Sequence, residues 1–268
     1  MRKTKIEWVT KDDGSPGMTW NPISGCLHGC EYCYARRIAR RFASRAQGEC
    51  GNGMCIDYHL HGADCETGDA HVFDDKPLSY LDDSPYPWGF DPTFHSYRLA
   101  EPQRVKKPQT IFVCSMADLF GEWVPFDWIF QVFRSCYLAS QHRYIFLTKN
   151  PVRYLDFPKN IFENENLWWG ATITDGMSLK IHPLPLTIIE PASTFYSIEP
   201  LCGAITLSKM PKWVIVGAEN GNRKGKVVPE REWIEEIVQL CRANNVPVFL
   251  KNSLASIWRE PLIQEYPW

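Results

Sequence analysis

The sequence predicts an α/β protein built on a parallel sheet that curls into an open or incomplete barrel. From residue 109 onward, short apolar runs rich in β-branched residues alternate with helical patterns. That alternation reads as a parallel sheet whose faces are covered by helices. Counting the segment before Cys26, about seven strands can be placed, and the residues just past each are consistently polar. No Gly-x-Gly-x-x-Gly fingerprint follows the first strand, which argues against a flat dinucleotide-binding sheet.

Residues 1–17 are polar and end in the turn-rich run Asp12-Asp-Gly-Ser-Pro-Gly17. Residues 18–23, Met-Thr-Trp-Asn-Pro-Ile, form a short extended segment. It leads into Cys26-Leu-His-Gly-Cys30-Glu-Tyr-Cys33, three cysteines at spacings of four and three, with Gly25 and Gly29 before the first two. The glycines let the backbone wrap closely around whatever the thiolates hold. Three thiolates suit an iron–sulfur cluster or zinc, and buried structural thiols are the bland alternative. A cubic cluster on three cysteines leaves one iron without a protein ligand, which makes a catalyst rather than an electron wire.

A helix follows over 34–45. Tyr34, Ile38 and Phe42 recur every four residues, as do Ala35, Ala39 and Ala43, giving one apolar stripe. Arg36, Arg37, Arg40, Arg41 and Arg45 take the other side. They are either a solvated face or a contact for a phosphate-bearing substrate.

Residues 46–108 are rich in Gly, Asp and Pro and lack periodicity, so they are expected to be an inserted subdomain or a lid. Cys50, Cys55 and Cys65, with His59, His61 and His71 nearby, could form a second metal site, although the spacing fits no standard template. The insert ends at Phe90-Asp-Pro-Thr-Phe-His-Ser-Tyr-Arg98.

The regular part then reads as strand 110–114, helix 127–137, strand 144–148, a short helix from 152, and strand 167–174. A helical turn and proline-punctuated chain over 176–190 precede strands 194–198 and 213–216, helix 229–244 and strand 246–250. In α/β barrels the active site lies at the carboxyl ends of the strands. Those positions hold Ser115 and Asp118, Lys149 and Asn150, Thr172, Thr174 and Asp175, Glu199, Glu219 and Asn220, and Lys251. Lys149, Glu199 and Lys251 each follow directly on an apolar strand and are the candidate catalytic groups.

Composition bounds the rest. With 268 residues, 44% hydrophobic and 22% charged, the chain reads as globular. The sequence is read as one α/β domain carrying the insert. No apolar run reaches the ~18 residues of a membrane span, and the first residues lack a signal peptide's apolar core. The expectation is a cytoplasmic protein whose 10 cysteines are reduced thiols and metal ligands. A net charge of -2 gives no global pull toward nucleic acid, so any such surface must be local. Most of the 11 tryptophans should be packing residues.

Cys-x3-Cys-x2-Cys with an aromatic before its last cysteine resembles the signature of radical S-adenosylmethionine enzymes. Thr19-Trp-Asn-Pro-Ile-Ser-Gly-Cys26, Phe112-Val-Cys-Ser-Met-Ala-Asp-Leu-Phe120, Ser197-Ile-Glu-Pro-Leu201 and Trp213-Val-Ile-Val-Gly-Ala-Glu-Asn-Gly221 resemble the phage Gp37/Gp68 family, a related group. The resemblance covers most of the chain apart from about 46–90. It implies a partial (β/α) barrel of the radical S-adenosylmethionine type, with a 4Fe–4S cluster on Cys26, Cys30 and Cys33 that chelates S-adenosylmethionine at its open iron. One-electron reduction would yield methionine and a 5′-deoxyadenosyl radical that takes hydrogen from a substrate. Tyr32 would lie near the adenine. Where many such enzymes carry a Gly-Gly-Glu-like element, this chain has Ser115-Met-Ala-Asp118. Ser115 and Asp118 are therefore candidate cofactor contacts, with Thr172 and Thr174. The implied partners are a flavodoxin- or ferredoxin-like reductant and a substrate that is nucleic acid, a nucleotide, a peptide or a metabolite. The alternative is a non-catalytic iron–sulfur or zinc scaffold.

Overall fold

Apolar β-branched segments with little side-chain freedom favour the pleated backbone, and these segments form the sheet. The structure, a computed structural model, describes residues 1–42, 68–74, 86 and 88–268. Cys50, Cys55 and Cys65, with His59 and His61, lie outside the described residues, as does the end of the first helix beyond Phe42.

In chain order the strands are β1 (Arg2–Lys3), β2 (Met18–Trp20), β3 (Ile23–Ser24), β4 (His71–Phe73), β5 (Thr93–His95), β6 (Thr110–Val113), β7 (Arg143–Thr148), β8 (Leu167–Thr172), β9 (Thr194–Ile198), β10 (Val214–Val216) and β11 (Val248–Leu250). The helices are α1 (Tyr34–Phe42), α2 (Glu101–Arg104), α3 (Phe126–Leu138), α4 (Gly176–Ile181), α5 (Pro183–Ile189), α6 (Arg231–Ala243) and α7 (Ala255–Trp258). The chain divides into two compact units. One comprises Met1, Trp20–Lys106 and Val113–Ala139, and the other Arg2–Thr19, Lys107–Phe112 and Ser140–Trp268.

The larger sheet has the order β1-β2-β6-β7-β8-β9-β10-β11. Each neighbouring pair from β6 to β11 is parallel, and β1 pairs antiparallel with β2 at the edge. The fold is thus mixed α/β with a mostly parallel sheet. The strands from β2 onward lie in the order in which the chain makes them. A doubly wound sheet reverses that order at a switch point, and this one does not. At the far edge, Gln264 bridges Phe249 and the Leu250 amide donates to the Ile263 carbonyl, so residues 263–265 cover backbone that β11 would otherwise expose.

The second unit's core joins Trp8, Phe112, Ile145, Trp168, Phe195, Trp213, Ile215 and Phe249. Tryptophans here are core residues, as expected. Trp213 is fully buried and sits 5.2 Å edge-on from Trp268, whose ring also carries the Arg143 guanidinium at 4.3 Å.

Three expectations are corrected. The extended segment 18–23 is two strands in two sheets. Pro22, which lacks an N–H, interrupts it, and its carbonyl accepts from the His95 amide at 2.8 Å, so β3 joins β5 and β4 instead. The proline-punctuated stretch after 181 is helical, because Pro183 falls in the first turn of α5, where a missing N–H costs no hydrogen bond. On α1 the alanine stripe is inside, with Ala35 and Ala39 buried, whereas Tyr34, Ile38 and Phe42 are exposed.

Candidate metal centre

The cysteine loop is shaped by its glycines and by the stretch after β6. Gly25 has φ 85°, and a Cβ there would lie 2.0 Å from the Asp91 carbonyl oxygen. Its amide donates to the Met116 carbonyl at 2.9 Å, and the Cys26 amide donates to Phe90 at 3.0 Å. Gly29 also has positive φ, 68°, but faces open space. The Cys33 amide closes a turn on the Cys30 carbonyl at 3.1 Å, and α1 begins at the next residue.

Arg36 is part of this scaffold. Its guanidinium donates to the Cys26 carbonyl at 3.0 Å and lies 5.2 Å over the Phe90 ring. The grouping of Arg36 with Arg37, Arg40 and Arg41 as one solvated or phosphate-facing surface is corrected accordingly. Arg37, Arg40 and Arg41 are exposed and Arg36 is turned toward the loop.

The three cysteines are half-buried and form no disulfide. The Arg36 amide lies 3.3 Å from the Cys33 sulfur, and the His28 amide donates to the Cys26 sulfur. Burial pushes the Cys26 thiol up to about 12, and the fields of Asp118, Cys33 and Cys30 add to this. Cys26 therefore lies within electrostatic reach of the other two cysteines. Among the described residues, no group of three or more His, Cys, Asp or Glu side chains is arranged to hold a metal ion.

Ser115 and Asp118 lie beside the loop with their polar groups engaged. The Ser115 hydroxyl donates to the Asn21 side-chain oxygen at 3.1 Å, and its carbonyl accepts from the Tyr34 hydroxyl at 2.6 Å. One Asp118 oxygen accepts from the Phe120 amide at 3.0 Å. The other is 2.8 Å from His28 Nε2, and Trp123 meets the His28 ring edge-on at 4.8 Å. Tyr32 is half-buried between the last two cysteines. His95 is buried, with Nε2 2.8 Å from the Ser24 hydroxyl, and desolvation pulls its pKa down to about 3, so the ring is neutral at pH 7.

In the second unit, the carboxyl ends of β9 and β11 bring Glu199 and Lys251 into an ion pair. The pair lies against Gly217, just past β10, where a Cβ would come within 2.9 Å of the Lys251 chain. Lys149 is half-buried and lies within electrostatic reach of the Cys202 thiol. Burial raises the Cys202 thiol, Asp175 and Glu219 raise it further, and Arg223 and Lys149 oppose them. Glu219 is buried in a two-pronged pair with Arg223, 2.8 Å on each side. The Thr174 carbonyl accepts from the Cys202 amide at 2.8 Å, and the carbonyl of buried Thr172 is hydrogen-bonded to His182.

Sequence reasoning missed Cys202, Arg223, Asn21 and Trp123. Cys202 follows immediately on the Ser197–Leu201 motif, and Arg223 sits four residues after Glu219. Those two positions were the available signals.

No curated protein matches the chain. Among solved structures, a mutant of spore photoproduct lyase is similar at 8% identity and a TM-score of 0.47, over 85% of this chain and 74% of that one. Over residues 3–258 the chain fits the model described as "Protein of unknown function (DUF5131)", and it belongs to that family.

Proposed function

We propose that the protein is a radical S-adenosylmethionine enzyme whose cysteine loop holds a 4Fe–4S cluster. The observation that carries this is the loop itself. Three half-buried, disulfide-free thiols lie on one loop, two with sulfurs that accept main-chain N–H groups. Such hydrogen bonds favour the thiolate that iron requires, and iron uptake would displace the proton that burial holds on Cys26. A mononuclear zinc site needs its sulfurs at one point, whereas a cubane takes each thiolate on a separate iron. Three protein ligands would leave one iron for a small molecule.

When bound, such a cluster supplies reductive cleavage of S-adenosylmethionine and a carbon radical that abstracts hydrogen. The chain's own part is to shape the loop, exclude water and orient the substrate. Arg36 and the Met116 carbonyl hold the loop backbone, Asn21 braces Ser115 and Met116 beside it, and Tyr32 would contact the adenine. Lys149, Glu199 and Lys251 are the groups proposed to act in catalysis, the last two as an ion pair. The unreversed strand order supports a partial barrel. A flavodoxin- or ferredoxin-like protein would supply the electron.

Arg37, Arg40 and Arg41 are exposed on the helix that leaves Cys33, which supports a nucleic acid or nucleotide as substrate. Oligonucleotide affinity should fall with salt, and Arg40→Ala with Arg41→Ala should flatten that slope by about one unit per phosphate contact. An unchanged slope would point to a peptide or metabolite.

Anaerobic reconstitution with iron and sulfide, then dithionite and S-adenosylmethionine, should give visible absorbance and release methionine and 5′-deoxyadenosine. Replacing Cys26, Cys30 and Cys33 together by Ala should abolish both. Full iron retention in the triple variant would refute the assignment.

A further inference from the structure

Asp118 is a buried carboxylate with 7% of its side chain exposed, and it joins two segments far apart in sequence. Through one oxygen it caps its own turn at the Phe120 amide, 3.0 Å away. Through the other it reaches His28, midway between Cys26 and Cys30, at 2.8 Å. The Trp123 ring packs edge-on against the same imidazole at 4.8 Å. His28 Nε2 is thereby committed to a carboxylate. The same stretch grips the loop at Gly25, through the Met116 carbonyl and the Gly25–Ala117 bridge. It also grips the start of α1, through the Tyr34 hydroxyl.

We propose that His28 and Asp118 form a positioning pair that fixes the Cys26–Cys30 turn and sets the reduction potential of the cluster held there. The inference rests on the cluster assignment above. Neither residue is a ligand. Asp118 places a negative charge within electrostatic reach of Cys26. A reduced cluster carries one more negative charge than the oxidised one, so the carboxylate disfavours reduction. His28 donates a hydrogen bond to that carboxylate and damps its field. Hydrogen bonds and charges beside a cluster are known levers on its potential. The buried setting keeps solvent from screening them.

The two members of the pair should act in opposite directions. Asp118→Asn keeps the shape and an oxygen for the Phe120 amide but removes the charge. At a fixed applied potential it should raise the reduced-to-oxidised ratio about tenfold, ~59 mV for a one-electron couple. His28→Gln weakens the damping and should lower that ratio. Asp118→Glu should return it toward the parent value.

The test is iron content, spectroelectrochemical midpoint and the electron paramagnetic resonance signal of each reconstituted protein. Opposite shifts at full iron content support the proposal. Unmoved midpoints at full iron content, or loss of iron in both Asp118 variants, would overturn it by leaving the pair a purely structural tie. Failure of the parent protein to take up iron would remove the cluster assignment itself, and the pair's role with it.

Discussion

Gly25→Ala and Gly29→Ala form a matched pair of perturbations. Both glycines sit in the cysteine loop at positive φ, 85° and 68°. An alanine at either position must adopt the left-handed region, which costs roughly 1–2 kcal/mol. At Gly29 that is the whole expected effect, because a Cβ there meets nothing within 4 Å. At Gly25 the Cβ would sit 2.0 Å from the Asp91 carbonyl oxygen, 2.3 Å from its carbon and 2.7 Å from the Phe90 carbonyl oxygen. These atoms are main chain and cannot swing aside. The Phe90 carbonyl also accepts the Cys26 amide, so relieving the clash breaks that bond, worth about 1 kcal/mol. Backbone displacement in a packed region adds about 1–3 kcal/mol. Gly25→Ala should therefore cost about 3–6 kcal/mol, against about 1–2 for Gly29→Ala. In urea unfolding of the metal-free protein, their midpoints should differ by on the order of 1 M. Gly29→Ala should take up iron normally, and Gly25→Ala should not. Equal midpoints and equal iron uptake would refute the argument that backbone contact, rather than φ alone, requires glycine at 25.

Two further predictions concern a buried histidine and a half-buried ion pair. His95 titrates at about 3 when folded and near 6.5 as a free side chain, so the unfolded state binds the extra proton first. Stability is therefore unaffected by His95 above pH 6.5 and falls by about 1.4 kcal/mol per unit as pH drops from 6.5 toward 3. His95→Gln should remove that slope in denaturation measured at pH 7 and pH 5, and an unchanged slope would assign it to other groups. Lys251→Ala leaves Glu199 without its partner beside Gly217 and should destabilise by about 1–3 kcal/mol. Adding Glu199→Gln should recover part of that loss in a double-mutant cycle, and strict additivity would show that the two do not interact.

The strands were legible in the sequence because a parallel sheet buried on both faces demands near-continuous apolar β-branched runs, as in Val214–Val216 and Thr194–Ile198. The cysteine loop was legible for a related reason. Its spacing is local, and the requirement for glycine at 25 is written into the residue type. Periodicity marked α1 as amphipathic but could not decide which side faces in. The tertiary structure settled that by burying Ala35 and Ala39 with Phe90 and Met116, where close helix approach admits only small side chains. It also decided the work of Ser115 and Asp118. The sequence placed them after a strand, and only the fold brings Asn21 and His28 to them across more than 90 intervening residues or close to it. The same holds for Cys202, which no motif singled out. Its neighbours Lys149, Asp175 and Glu219 come from the ends of three different strands, and parallel winding alone makes them adjacent. Local pattern determined the elements. Long-range packing determined which polar groups are tied up in holding the loop and which stand together at the strand ends.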